Sequence, residues 1–273
     1  MVKILNTIIC YNNAKEVVEY VNSLTGLTHS ENLAVVIVIN MLDRKGELFL
    51  TENLKKAKVR NMIVKPGKNL GYMNGMLFGF KKYMEENSDP ITYVIMSNTD
   101  VSYPEPEFLE SFVNDIYSKD TWVIGPAVYV PSRNTFDNPV CDKRRSLVSM
   151  QKTIVLLGTP IINQLYMLAS AIKSRVKKRT KETSRFVYEV HGCYFVIRRQ
   201  LAEVMVKNPF GAFLYSEEAY VAEWTFRLNK KVFYDANIQI NHNEHSVTSF
   251  IPDVDRAKMI SSSMKIIKDE FYS

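Results

Sequence analysis

The chain has 273 residues, of which 46% are apolar and 23% charged, with a formal net charge of +6. That is the composition of an ordinary soluble globular protein, with room for one large α/β domain or two small ones. Three widely spaced cysteines (Cys10, Cys141, Cys193) fit neither a disulfide framework nor a zinc site, and they suit a reducing, cytoplasmic setting.

The charge is uneven. Eleven Lys/Arg stand between Lys143 and Arg185 against one acid, Glu182, so this block carries +10 and the rest of the chain about −4. A local block of this kind points to an anionic surface or partner. Met1 to Cys10 has one lysine and runs directly into strand-like sequence, without the long apolar core or small-residue cleavage site of a signal peptide.

In chain order, Val2 to Cys10 reads as the first strand and Tyr11-Asn12-Asn13 as the turn after it, with Asn13 as the N-cap of a helix whose apolar stripe is Val17, Val18, Val21 and Leu24. Leu33 to Asn40 is a second strand, Lys45 to Lys56 a helix, and Val59 to Val64 a third strand closed by Pro66-Gly67. This alternation predicts a mostly parallel sheet with helices on both faces. Asn69-Leu70-Gly71 then opens a glycine-rich helical stretch in which Gly71, Gly75 and Gly79 are four apart. Such a stripe marks close approach either to a ligand or to a neighbouring backbone, and for Gly79 tight packing on the sheet is preferred. The glycine spacing is not the dinucleotide fingerprint.

Tyr93 to Met96 is a short apolar run that breaks off into Ser97-Asn98-Thr99-Asp100-Val101, with Pro104 and Pro106 close behind. It reads as a central strand buried on both faces. Asp100 then lies just beyond the strand's carboxyl end, the edge at which open α/β sheets bind ligands. A carboxylate there either holds a divalent cation and, through it, phosphates, or only closes an Asx turn. Phe108 to Ile116 carries a helical core stripe, and Trp122 to Val130 is another strand.

The segment 143–185 departs from this pattern. Its apolar stretch, Ile154 to Ile172, is interrupted by Gly158, Thr159, Pro160, Asn163 and Gln164, which argues against a membrane span. The segment reads either as amphipathic helices with basic shoulders suited to an anionic leaflet, or as a helical insertion packed on the protein. Beyond it, Phe186 to Arg199 returns to strand character, Leu201 to Val206 and Ala222 to Leu228 are helical, Lys231 to Ala236 is a strand, Ile238 to Ser249 carries His242 and His245, and Met259 to Phe271 is a closing amphipathic helix. No nucleic-acid-binding motif accompanies the basic block.

Six weak motifs fall in one order over Ile4 to Ser249. They are Tyr11-Asn12, Asn69-Leu70-Gly71, Ser97-Asn98-Thr99-Asp100-Val101, His191-Gly192-Cys193 with Arg198-Arg199, Phe213 to Glu218 with Arg227, and His242. Together they resemble the family-2 inverting glycosyltransferases of GT-A fold, most closely the rhamnosyltransferase-like group that builds bacterial surface polysaccharides such as capsule or O-antigen. The resemblance implies a single GT-A (Rossmann-like) α/β domain over 1–273, with a nucleotide-sugar-binding half (1–130), the basic helical insertion (143–185) and an acceptor and catalytic half (186–273).

It also implies a UDP- or dTDP-sugar donor, a saccharide or lipid-linked saccharide acceptor, and Mn²⁺ or Mg²⁺. Donor contacts would come from Tyr11, Asn12, Asn69, Gly71, Asn98, Thr99 and Arg227, cation ligands from Asp100 and His242, and the catalytic base from Glu218, with Glu217 in reserve. The location implied is cytoplasmic, peripheral at the inner face of the cell membrane, with an oligomer possible. Three positions depart from the pattern. The second strand ends in Asn40 where relatives carry Asp, leaving Asn40 or Asp43 to serve; Asn98 stands where many carry Asp; and the acidic pair is Glu-Glu, followed by Tyr220. These departures motivate the alternative of a catalytically idle member that binds a nucleotide sugar or scaffolds a polysaccharide-assembly complex.

The chemistry supports these residue types independently. Negative charge grows on a departing nucleoside diphosphate, and a bound divalent cation stabilises it. An acceptor hydroxyl must lose a proton as it attacks, and a carboxylate opposite the leaving group can take it. The bland alternative for Glu217 and Glu218 is an acidic helix N-terminus favoured by the helix dipole.

Overall fold

The structure is a computed structural model, which describes residues 1–159, 179–244 and 252–272. Among the described residues, ten strands form one sheet: β1 (Ile4–Tyr11), β2 (Leu33–Met41), β3 (Arg60–Val64), β4 (Tyr93–Ser97), β5 (Val101–Ser102), β6 (Thr121–Val130), β7 (Thr135–Phe136), β8 (Arg185–Val187), β9 (Tyr194–Arg198) and β10 (Lys231–His242). Their order is β3-β2-β1-β4-β9-β6-β10-β5, with β7 beside β6 and β8 beside β10. The pairings β3–β2, β2–β1, β1–β4 and β6–β10 are parallel, as the β-α-β alternation requires. β9 enters between β4 and β6 antiparallel to both, and the short strands β5, β7 and β8 also pair antiparallel. The sheet is therefore mixed beyond β4.

The continuous apolar runs follow from burial on both faces. In β4, Tyr93 and Ile95 join one core cluster while Val94 and Met96 join the other. Helices α1 (Ala14–Ser23) and α2 (Arg44–Leu54) cover the first face. α3 (Met73–Glu86), α6 (Arg199–Lys207), α7 (Glu217–Arg227) and α8 (Asp253–Phe271) cover the second. The expected helix at 108–116 is instead a 3-10 turn, Pro106–Leu109, followed by the single turn of α4 (Glu110–Val113). In α3, a Cβ at Gly75 would come within 2.7 Å of Ile9 and one at Gly79 within 2.7 Å of Val38, so both serve helix-on-sheet packing.

Two sequence expectations change in ways that matter for the site. Phe186 to Arg199 is not one strand: β8 pairs with β10, β9 pairs with β4 and β6, and the irregular stretch between them carries Glu189, His191 and Gly192. The basic block is also partly neutralised inside the fold. Arg144 pairs with Glu223 at 2.8 Å, Arg145 with Glu189 at 3.2 Å, Arg179 with Glu182 at 3.1 Å and Arg185 with Asp142 at 3.0 Å. Ser146 caps α5 (Leu147–Gly158) by accepting the Ser149 amide at 3.2 Å. α5 packs on α8, where the Ser261 hydroxyl donates to the Ile154 carbonyl at 2.7 Å, and it leaves Leu147, Val148 and Val155 exposed. Among the described residues no helix is long and apolar enough to cross a membrane. Four of the block's cations (173, 175, 177, 178), most of the apolar stretch, and His245 lie outside the described residues.

Candidate active site

The site lies past the carboxyl ends of β1 and β4, where the last strand returns. Antiparallel pairing of His242 with Val101 lays the end of β10 along β5, and the Asn243 amide donates to the Asp100 carbonyl at 2.9 Å. His242 Nε2 thereby stands 3.4 Å from Asp100 Oδ1, both side chains being buried. Among the described residues, neither carboxylate oxygen of Asp100 and neither ring nitrogen of His242 has a hydrogen-bond partner. Burial pushes the Asp100 carboxyl up, but His242, the residue's own backbone amide and the Asn98 side chain together outweigh it, and the net shift is downward. A buried, ionised and unbonded carboxylate is costly unless something else compensates it. A divalent cation fits that description, and Mg²⁺ in particular is held through one or two protein donors together with phosphate oxygens and waters. Among the described residues no group of three or more His, Cys, Asp and Glu converges to cage a metal, so Asp100 and His242 would hold it with the substrate's own oxygens.

The rest of the 97–101 turn is anchored. The Asn98 amide donates to the Cys193 carbonyl at 2.8 Å. Thr99 Oγ1 accepts from Asn13 Nδ2 at 3.1 Å and donates to Glu16. Asn13 occupies the N-cap position of α1 without capping it; its carbonyl oxygen instead accepts the Tyr11 amide at 2.8 Å. Tyr11 ends β1 half-buried, and Asn12 follows exposed, with φ +57°.

Asn40, buried at the end of β2, is committed to the 69–71 loop. Its Nδ2 donates to the Gly71 carbonyl at 2.8 Å and its Oδ1 accepts the Leu70 amide at 3.4 Å. Asn69 Oδ1 accepts the Gly71 amide at 3.0 Å. Gly71 has φ +76°, and a Cβ there would lie 2.0 Å from the Phe213 carbonyl oxygen. Gly71 thus precedes α3 rather than joining its glycine face, and it seats the loop that leads into α7. Asp43 is occupied as the N-cap of α2, accepting the Gly46 amide at 2.7 Å.

That loop ends in Tyr215 and Ser216, both in the left-handed region (φ +70° and +65°), just before Glu217 and Glu218 open α7. The two carboxylates have different surroundings. Glu217 is buried and its Oε1 accepts the Tyr215 amide at 2.9 Å; burial first, then the adjacent Glu218, raise its pKa to about 8. Glu218 is half-buried and lies against Gly192. Arg227 is not brought to this cluster. It ends α7, about 15 Å along the axis, where it donates to the Glu270 carbonyl at 2.6 Å and covers the Phe271 ring.

Three residues to which sequence reasoning gave no role also belong here. The His191 ring is 5.9 Å from that of His242, and burial lowers its pKa. The Tyr72 hydroxyl donates to the Gly192 carbonyl at 3.1 Å. Glu189 is buried against Arg145, and burial raises its pKa to about 7. His191-Gly192-Cys193 stood out in the sequence only as one of the six ordered motifs, with no role attached to the histidine.

The architecture is that of the GT-A fold, a central mixed sheet with helices on both faces. Among solved structures, the chain is similar to GalNAc-T7 with UDP, GalNAc and Mn²⁺ (TM-score 0.63, 12% identity), aligning over 100% of its own length and 50% of that chain, so it spans about half of that protein. It is also similar to the mannosyltransferase PcManGT from Pyrobaculum calidifontis in complex with GDP-Man and Mn²⁺ (TM-score 0.56, 9% identity, 98% of this chain and 73% of that one). No family model and no curated protein matches the sequence.

Proposed function

We propose that the protein is an inverting glycosyltransferase that moves a sugar from a nucleoside-diphosphate donor, a UDP- or dTDP-sugar, to an acceptor hydroxyl. The observation that carries this is the buried, unbonded carboxylate of Asp100 beside His242, at the strand edge of a GT-A fold. These two residues would hold Mn²⁺ or Mg²⁺, which when bound supplies charge stabilisation for the departing diphosphate. Glu218 takes the acceptor proton as the hydroxyl oxygen bonds to the anomeric carbon and the bond from that carbon to the phosphate oxygen breaks; one in-line displacement inverts the carbon. Glu218 is less buried than Glu217, which supports this role. Glu217, its Oε1 occupied by a backbone amide and its carboxyl held largely protonated at neutral pH, is the poorer base.

Calorimetric titration with UDP, dTDP and GDP, each with and without Mn²⁺, tests the reading. Tight, metal-dependent binding of one of them, lost in Asp100→Ala with the fold intact, is the expected result. Binding that ignores both the metal and Asp100 removes the assignment.

The reading extends to a lipid-linked saccharide acceptor in cell-surface polysaccharide synthesis, met at the inner face of the membrane. The exposed Leu147, Val148 and Val155 on α5, with exposed Lys143 and Lys152 nearby, support contact with an anionic leaflet. Salt-sensitive binding to phosphatidylserine vesicles is expected to weaken in a Lys143→Glu, Lys152→Glu, Val148→Ser variant; unchanged binding would remove the membrane contact.

A further inference from the structure

We propose that His191 reads the transferred sugar, its imidazole Nε2–H donating a hydrogen bond to a hydroxyl or substituent oxygen on the sugar ring of the donor. The inference rests on the nucleotide-sugar reading above and adds a specificity-determining residue to it.

Position comes first. His191 and Gly192 bridge the two halves of the site: the His191 ring lies 5.9 Å from His242 on the cation side, and the Glu218 carboxylate lies against Gly192 on the other. In an in-line displacement the diphosphate leaves on the cation side and the base acts opposite, so a side chain between the two faces the sugar being transferred.

Tautomer comes second. The Cys193 amide donates to His191 Nδ1 at 3.1 Å, which commits that lone pair and places the ring proton on Nε2. A neutral imidazole in this state has no lone pair left for a metal ion, so His191 is a donor and not a third cation ligand. Its Nε2 stands 4.0 Å from Asp137 Oδ2, beyond hydrogen-bond reach, and that carboxylate oxygen already accepts from Arg133 at 2.6 Å. About a third of the side chain remains exposed, so the residue is not sealed in the core.

Rigidity comes third. The His191 amide donates to Asn138 Oδ1 at 2.6 Å, and the Gly192 carbonyl accepts from the Tyr72 hydroxyl at 3.1 Å. The backbone is pinned on both sides of the ring, which is the condition for a single hydrogen bond to discriminate between substrates.

The test separates sugar from diphosphate. UDP-glucose, UDP-N-acetylglucosamine, dTDP-glucose and GDP-mannose are titrated calorimetrically with Mn²⁺ into wild-type, His191→Phe and His191→Gln protein, each beside its parent nucleoside diphosphate. For whichever donor binds, His191→Phe is expected to lose about tenfold in affinity for the sugar nucleotide while binding the parent diphosphate within about twofold of wild type. His191→Gln keeps a donor near the Nε2 position and is expected to recover most of the loss. Monodeoxy analogues of the bound sugar, titrated into wild type, should include one that loses a similar factor; this arm stands even if His191→Phe does not fold. Equal losses for sugar nucleotide and diphosphate, or no loss for either, overturn the inference. If wild type binds sugar nucleotides no better than diphosphates, the inference alone falls. If it binds no nucleoside diphosphate at all, the functional reading falls and takes the inference with it.

Discussion

The Glu218 carboxylate rests against the backbone of Gly192, so closely that a Cβ added there would lie 3.0 Å from Glu218 Oε2. The place of the proposed base is thus fixed by the absence of a side chain across the cleft, and the 191–193 turn and the start of α7 act as one unit. Gly192→Ala is expected to lower kcat about tenfold and Gly192→Val about a hundredfold, because small displacements of a catalytic group cost rate steeply. Melting temperatures should change little, since the clash is with the end of a flexible side chain. Steady-state kinetics beside thermal denaturation checks this, and full kcat in Gly192→Val would show that Glu218 is not held by this contact.

Glu217 makes a prediction of opposite character, about stability. Its folded-state pKa, raised to about 8 by burial and by Glu218, lies above its ordinary value of 4.5. The folded protein therefore holds a proton that the unfolded chain gives up earlier, and this contribution is lost as pH rises from about 4.5 through about 8. Glu217→Gln keeps an oxygen for the Tyr215 amide and removes the titration. It should be more stable than wild type at pH 9, by roughly 2 to 4 kcal/mol, with the gap closing towards pH 5. Urea denaturation at the two pH values measures this, and an equal gap at both would show that the carboxyl ionises freely in the fold. Activity separates the two residues as well: Glu218→Gln should lose 10² to 10⁴ in kcat, the usual worth of a general base, while Glu217→Gln retains most of it.

What could be read in the sequence divides along a physical line. Strands buried on both faces announce themselves as continuous apolar runs, so β1, β2 and β4 and the turn at Asp100 were legible. Asp100 and His242 were joined in the sequence only through the family resemblance, because their contact depends on a two-residue antiparallel pairing between segments far apart in the chain, which no local periodicity encodes. Composition likewise detects charge but not pairing, so the basic segment reads as uniform while Arg144 and Arg145 turn inward to buried Glu223 and Glu189. Asn40 was legible as a polar end to β2; that its amide is committed to the 69–71 loop is a matter of tertiary contact.

That commitment of Asn40 is itself testable. Its side chain holds the Gly71 carbonyl, and Gly71 seats the Phe213 carbonyl at the root of the loop leading to Glu217 and Glu218. Asn40→Ala leaves a buried carbonyl unpartnered and should cost about 1 to 3 kcal/mol. Gly71→Ala is expected to do more: it adds a side chain where φ is +76° and where the Phe213 backbone already fills the space, so activity should fall even under conditions where the variant remains folded. Circular dichroism with urea titration and single-turnover kinetics would decide it; wild-type activity in folded Gly71→Ala would show that the loop is not positioned from this side.

Arg144 joins the segment before α5 to α7 and to the end of α8. Its guanidinium contacts both oxygens of Glu223, from Nε at 3.2 and 3.0 Å and from Nη2 at 2.8 Å, and Nη2 also donates to the Phe271 carbonyl at 2.8 Å. The group lies over the Tyr272 ring at 4.0 Å. Glu223 is almost fully buried, so removing the arginine takes away the cation that faces a buried anion. Arg144→Ala should cost about 3 to 5 kcal/mol. Arg144→Lys should recover only part of this, because an ammonium cannot reproduce the two-pronged contact with the carboxylate. The double variant Arg144→Met, Glu223→Leu should be more stable than Arg144→Ala, since replacing a buried pair by apolar groups of similar volume is often neutral. A double-mutant cycle in urea measures the coupling, and additive single-variant effects would show that the pair contributes nothing to holding α7 in place.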